Sequence, residues 1–414
     1  MLKKRVNINE LRKVAVEHRP DVNVWEVQKQ ARDLYTAIKL VGIENVAAVY
    51  HVQDDITQVE KTGKDISKRS RALSAYLMMN MLQMSDSTTS RNRLETHYGE
   101  ISMEAALGHM FGGKHVSKST LSDRCVLEKY LDNGYQLENH TNEIWVGSLY
   151  SLIVEKNPNV DLWTLWIECD KLYKSIVTVG LENTIVWFYN DESKRMTFKG
   201  EEIPERIRAF SLFCVVHMYR FRDDDTNMHY LQERYMLSAG VKGILGDTDI
   251  FKDSLDNLEC ITLRDIAGRY LRVEKAGKMN NSPIFLQQPY DAIEMKKFNS
   301  EDYESIYELW TALDSFYKMV KIVGIDDVKV RFKDANKKDV VMTGREIPAR
   351  IRAFCEESVI YMYRMNDSNA SRSRMEQHLG LEYPSKYILG DTNVVCCGSK
   401  SLPCMSLREL VQKL

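Results

Sequence analysis

Three short arginine pairs offer the chain's clearest opening for chemistry: Arg69 with Arg71, Arg206 with Arg208, and Arg350 with Arg352. A guanidinium presents a planar fork of donors that matches phosphate oxygens. Each pair opens an amphipathic segment. At 100° per residue, the apolar stripe of the second copy (Ile203, Ile207, Phe210, Cys214, Met218, Phe221) places Arg206 on one flank and Arg208 on the other. Arg220 returns to the flank of Arg206 about 21 Å further along the axis. Such a row could track a nucleic-acid backbone, or it could rim the core and pair with carboxylates of a neighbouring unit. The six arginines are the candidate nucleic-acid-binding residues.

A self-comparison adds candidate ion pairs. Arg220 and Arg364 stand in the second and third copies where the first has Gln83; Asp247 and Asp391 stand where it has His109. Both charges are absent together, as expected if each buried charge depends on its partner. The spacing predicts Arg220–Asp247 and Arg364–Asp391 pairs. Other arrangements are weaker. His109 and His115 flank Phe111-Gly112-Gly113-Lys114 without a third metal ligand, and Lys114 lacks the spacing of a phosphate loop. Asp223-Asp224-Asp225 reads as a solvated helix-end loop. No catalytic serine, cysteine or histidine set has a local signature, and no cofactor or metal motif occurs, so the expectation is a non-enzymatic protein.

The elements that carry these residues recur three times. Val41-Gly42-Ile43, Val179-Gly180-Leu181 and Val323-Gly324-Ile325 set the period, and Gly63, Gly200 and Gly344 follow in fixed order, each just ahead of an arginine pair. A helix precedes each first glycine. Its apolar positions are Val24, Val27, Ala31, Leu34, Ile38 and Val41 in the first copy, at steps of three and four. The glycine suits a left-handed cap. A β-hairpin follows, 184–198 in the second copy and 328–342 in the third. Then comes the helix opened, in those two copies, by Ile-Pro, a polar break, a short helix and a Leu-Gly step. The predicted architecture is α+β, predominantly α-helical, as three tandem diverged helix–hairpin–helix units over 1–135, 136–282 and 283–414. Linkers are expected near 132–143 and 275–289.

Composition narrows the class. The chain has 414 residues, 44% hydrophobic and 28% charged, with only eight prolines, and a net charge of −2. By unit the net charges are +3, −5 and zero. A polyanion-coating protein is often strongly basic, so any nucleic-acid contact here must be local. No stretch of about 18 apolar residues occurs. Eight scattered cysteines without Cys-x-x-Cys read as reduced thiols in a cytoplasmic, reducing setting.

Part of each unit resembles the coat-protein core of flexuous filamentous, potyvirus-like plant viruses. The residues are Val186-Trp187-Phe188, Asn190-Asp191 and Phe198, then Ile207-Arg208-Ala209-Phe210 and His217-Met218-Tyr219-Arg220, repeated in part as Ile351-Arg352-Ala353-Phe354 and Tyr361-Met362-Tyr363-Arg364. The resemblance implies a mainly helical core that binds RNA in a groove and polymerises through flexible arms, with Arg220/Asp247 and Arg364/Asp391 near the groove. This chain differs in having three units, near-neutral charge and no long arms. The expectation is therefore a binding and assembly protein, of viral structural or nucleic-acid-binding type, with single-stranded RNA, self-association or another protein as partner. A protein–protein scaffold without nucleic-acid contact and an enzyme with one active unit are the alternatives.

Overall fold

In the computed structural model, residues 3–52, 57–82, 88–108, 121–131, 137, 142–219, 225–246, 261–278, 282–363, 369–390 and 406–413 are described. The first unit runs β1 (Lys4–Asn7), α1 (Asn9–Glu17), α2 (Val24–Val41), β2 (Val46–Val52), β3 (Thr57–Thr62), α3 (Lys68–Met81), α4 (Thr88–His97), α5 (Met103–Leu107) and α6 (Asp123–Leu131). The second repeats the order: β4 (Glu143–Trp145), α7 (Gly147–Ile153), α8 (Leu162–Val179), β5 (Ile185–Tyr189), β6 (Arg195–Lys199), α9 (Glu205–Tyr219), α10 (Asp225–Arg234), α11 (Val241–Leu245) and α12 (Leu263–Leu271). The third does so again: β7 (Ile284–Phe285), α13 (Gln287–Ile293), α14 (Tyr303–Val323), β8 (Lys329–Lys333), β9 (Asp339–Thr343), α15 (Ala349–Tyr363), α16 (Asn369–His378), α17 (Ser385–Leu389) and α18 (Leu407–Gln412). The molecule is mostly helical α+β, in three like units.

Each expected hairpin is present, but each is one side of a three-stranded sheet. β1, β4 and β7 lie parallel to β2, β5 and β8 through a helical crossover. These added strands are two to four residues long, too short to show an alternating pattern. As a result the expected second linker, 275–289, in fact holds β7 and the start of α13.

Each long helix is set at both ends. Asn23, Asp161 and Asp302 cap α2, α8 and α14 by accepting from backbone amides of the first turn. Gly42, Gly180 and Gly324 end them at φ of 81°, 86° and 90°. Their ψ values near 150° differ from the expected left-handed helical cap and fall in a region essentially open to glycine alone.

The apolar face foreseen for α2, α8 and α14 is buried in each unit's own core. A second face, at steps of four, three and four, is buried as well except at Arg32 and Asp314, which are half-buried. It reads Gln28, Arg32, Tyr35, Lys39 in α2, then Trp166, Asp170, Tyr173, Val177, then Trp310, Asp314, Tyr317, Lys321. Along it the three long helices meet one another. Its tyrosines join the units. Tyr173 donates to the Met81 carbonyl at 2.7 Å, Tyr317 to Met218 at 3.4 Å, and Tyr35 to Met362 at 2.8 Å. Each acceptor lies in the last turn of α3, α9 or α15, where helical carbonyls have no partner within the helix. The third bond runs from the first unit to the last, so the three units close into a ring. The closing helices obey the same cycle: α6 packs on α8, α12 on α14, and α18 on α2.

The junction between the third and first units is not covalently linked in sequence, and Tyr35 carries it together with α18 and a Lys4–Glu304 ion pair. Tyr35→Phe leaves a buried carbonyl unsatisfied and should cost about 1–2 kcal/mol in thermal or urea unfolding. A loss below about 0.3 kcal/mol would remove the hydroxyl from the account of ring closure.

Candidate functional site

Helices α3, α9 and α15 bring the two arginines of each pair to different environments. The second arginine is inside the protein. Arg71, Arg208 and Arg352 are 1%, 5% and 6% exposed, and their guanidinium groups are spent on main-chain carbonyls. In the third unit Nε of Arg352 donates to Ile347 at 2.9 Å and Nη1 to Leu379 at 2.8 Å and to Gly380. Arg208 makes the same contacts to Ile203, Tyr235 and Met236, and Arg71 to Ile66, Tyr98 and Gly99. Each fork therefore ties the start of one helix to the carbonyls just past the end of the next, α4, α10 or α16. These carbonyls have no helical partners and carry the negative end of a helix dipole. Three of the six arginines expected to line a groove are thus internal clamps, each fork held by main-chain carbonyls of its own unit.

The first arginines lie nearer the surface. Arg69 is exposed beside His18, Arg206 is exposed with one bond to the Leu245 carbonyl, and Arg350 is half-buried. The predicted pairs Arg220–Asp247 and Arg364–Asp391 lie outside the described residues, as do His109, Lys114 and His115. Among the described residues no group of three His, Cys, Asp or Glu side chains comes together to hold a metal, and no helix is long and apolar enough to cross a membrane.

The ring junctions hold polar sets whose composition changes from one to the next. Between the third and first units, Lys39 lies 3.3 Å from His97 Nε2 and over the Tyr361 ring. Between the second and third, Lys321 lies 3.0 Å from His378 Nε2, and the His378 ring meets His217. Between the first and second, Val177 replaces the lysine and Arg234 the histidine. Arg234 donates to Asn80, which donates to the buried Asp123 at 2.6 Å. Asp123 stands where the other closing helices carry Leu263 and Leu407. Burial pushes its carboxyl up to about 7, against the pull of Asn80 and Arg234. Burial raises Glu168 likewise, to about 7, although it caps α7 through the amides of Ser148 and Leu149.

The third unit has one further set. Glu356 and Glu357 replace the Ala75/Tyr76 and Leu212/Phe213 of the other units beneath α16 and α17. Glu357 takes Arg372 at 2.6 Å and Ser385 at 2.6 Å. Glu356 is fully buried, its oxygens make no hydrogen bond, and Arg372 comes no nearer than 3.8 Å. Burial first, then the charges of Glu357 and Glu376, push its carboxyl up to about 9.

Surface character varies most on the outward faces of the three sheets. The central strands show the half-buried Val49 and His51 beside a fully buried Ala47 in the first unit, Ile185, Trp187 and Tyr189 in the second, and Lys329, Arg331 and Lys333 in the third. In the second, Trp145 meets Trp187 edge-on at 4.7 Å, Tyr189 is 52% exposed, and Arg195 lies over the Trp187 ring. The sequence reading missed these rows because it took 184–189 as one strand signal. The clue was the phase of alternation: Trp187 and Tyr189 fall on the outward phase of the strand, where the third copy has Arg331 and Lys333.

A scan of protein families, a search of characterised proteins and a search of solved structures found no match to this chain.

The site geometry gives two expected outcomes. Arg208→Lys replaces a fork by a single ammonium and leaves carbonyls of Tyr235 or Met236 unmet, so unfolding should show a loss of about 3 kcal/mol; an unchanged midpoint would remove the clamp from the account. Glu356 holds its proton in the folded state but loses it above pH 4.5 when unfolded. It therefore costs nothing below pH 4.5, and the cost grows until about pH 9. Glu356→Leu, which installs the residue type of Leu212, should stabilise by on the order of 3 kcal/mol at pH 7 and by little at pH 5. An equal effect at both pH values would contradict a protonated Glu356.

Proposed function

We propose that the chain is a non-enzymatic binding and assembly protein: a closed three-unit frame whose outward sheet faces are its contact surfaces. The observation that carries this reading is the contrast between positions. Residues that keep their type in all three copies, such as the clamp arginines, the junction tyrosines and the helix-ending glycines, are consumed inside the frame. The outward rows of the sheets keep their geometry and change their chemistry. That is the pattern of a support whose faces have diverged for different contacts.

The second sheet supports a protein partner. Its Trp145, Trp187 and Tyr189, with Arg195 beside them, have the aromatic and arginine composition of an interface centre, and its unit is acidic overall. The arginine-helix groove for RNA keeps only Arg69, Arg206 and Arg350 as surface candidates, which weakens it relative to the sheets.

Trp187→Ala with Tyr189→Ser removes one half-buried and one exposed ring and should lower the unfolding free energy by no more than about 2 kcal/mol. Used side by side as bait, the parent should retain a macromolecule that the double variant loses by tenfold or more. Identical retained sets, with the fold intact, would sink the role of this face.

A further inference from the structure

We propose that the outward face of the third sheet is a binding site for single-stranded nucleic acid, with Lys329, Arg331 and Lys333 contacting phosphates and Phe285 stacking a base. This rests on the reading of the outward sheets as contact surfaces and names the partner of one of them. All three cations project from the exposed side of β8, alternating with the buried Val330 and Phe332. Side chains two residues apart on a strand stand about 6.6 Å apart, so the row is a line of positive charge about 13 Å long. Lys337 and Lys338 extend it at the exposed turn. None of these five makes an ion pair, in contrast to Arg195 on the second sheet, which is tied to Glu143.

The neighbouring carboxylates do not cancel the row. Asp334 turns its oxygen to the amides of Asn336 and Lys338, and Asp339 stands opposite Lys333 at one end. The middle of the row is flanked by apolar surface. Across the sheet Arg331 is in register with Phe285 on one side and Val341 on the other, 52% and 57% exposed, and its guanidinium lies 5.8 Å from the Phe285 ring. Charge alone would suit any polyanion. An exposed aromatic ring set among unpaired cations is what single-stranded nucleic-acid surfaces combine, because bases stack on the ring while phosphates follow the charge. The equivalent positions in the other units, Asn7 with Val49 and Trp145 with Trp187, hold no such combination.

The test uses the whole chain and a fluorescent 12-nucleotide oligouridylate, read by anisotropy. Three phosphate contacts predict a log–log salt slope of about −2, hence roughly a twentyfold weakening between 50 and 200 mM salt. Replacing Lys329, Arg331 and Lys333 together by Gln should bring the slope near zero. Phe285→Ala should weaken binding about tenfold at an unchanged slope. All four side chains are at the surface, so matched unfolding midpoints confirm that the variants fold. Absence of binding at 50 mM, or a triple variant with the parental slope, overturns the proposal. So does equal competition by polyglutamate or by phosphatidylserine vesicles together with an inert Phe285→Ala, which would mark a general polyanion patch. The outcome is separable from the second-sheet experiment, because Trp187 and Tyr189 belong to another unit.

Discussion

The long helices of this protein must bury two faces at once, and the rest of the architecture follows from that. One face of α2, α8 and α14 fills its own unit. The other carries Tyr35, Tyr173 and Tyr317 into the neighbouring unit, where each hydroxyl meets a carbonyl left without a helical partner. A single unit would expose this second face, with its large aromatic rings and a buried lysine, to water. Two units would leave one such face open at each end. Three units on a closed cycle leave none, which is how a chain of this length avoids the open ends that linear repeats must cap. Covalent linkage of two junctions raises the effective concentration for the third, so the closing contact through Tyr35, Tyr361 and α18 forms without the cost of bringing separate chains together.

Internal repetition separates frame from surface in a way that one copy could not. An arginine recurring in three copies invites a functional reading, since guanidinium groups are costly to hide. Here Arg71, Arg208 and Arg352 are hidden, and what offsets the cost is a set of main-chain carbonyls at a helix end that nothing else satisfies. The same reasoning directs attention to positions where the copies disagree. Glu356 in place of Leu212, Asp123 in place of Leu263, and a basic row in place of an aromatic one each spend folding stability or exposed surface on something the frame does not need.

Much of the fold was legible in the sequence because the repeat is strongly periodic. The helix over 24–41, the hairpins and the Ile-Pro helices each showed a single dominant pattern, and the structure places them within a residue or two. What escaped detection had competing patterns or was too short. The second face of α8 mixes Trp166, Asp170 and Tyr173, so its polar member masks a buried stripe. β7 is two residues long and carries no alternation of its own. The burial of Arg208 could not be inferred from its helix phase, because the carbonyls it binds lie 27 and 28 residues downstream, and only the third dimension brings them to it. The aromatic and basic rows were visible in principle: reading the two strand phases separately in each copy isolates them.

The polar junctions complete the logic of the ring. Three equivalent apolar contacts would leave the order of the units, and the identity of each unit's neighbours, weakly specified. Instead the first junction matches Arg234 with Asn80 and Asp123, the second sets Lys321 and His378 against His217, and the third sets Lys39 and His97 against Tyr361. Transplanting a partner exposes the difference. Facing the Lys321 set with the first unit's end would bury Asp123 away from Arg234, and facing Arg234 with the second unit's end would set its guanidinium against His217 in place of Asn80. A buried charge moved from its partner is strongly unfavourable, whereas the correct order satisfies all three sets together. The varied junctions thus act as an address within the chain, and the divergence of the repeats at these positions is what lets each unit recognise its own place in the cycle.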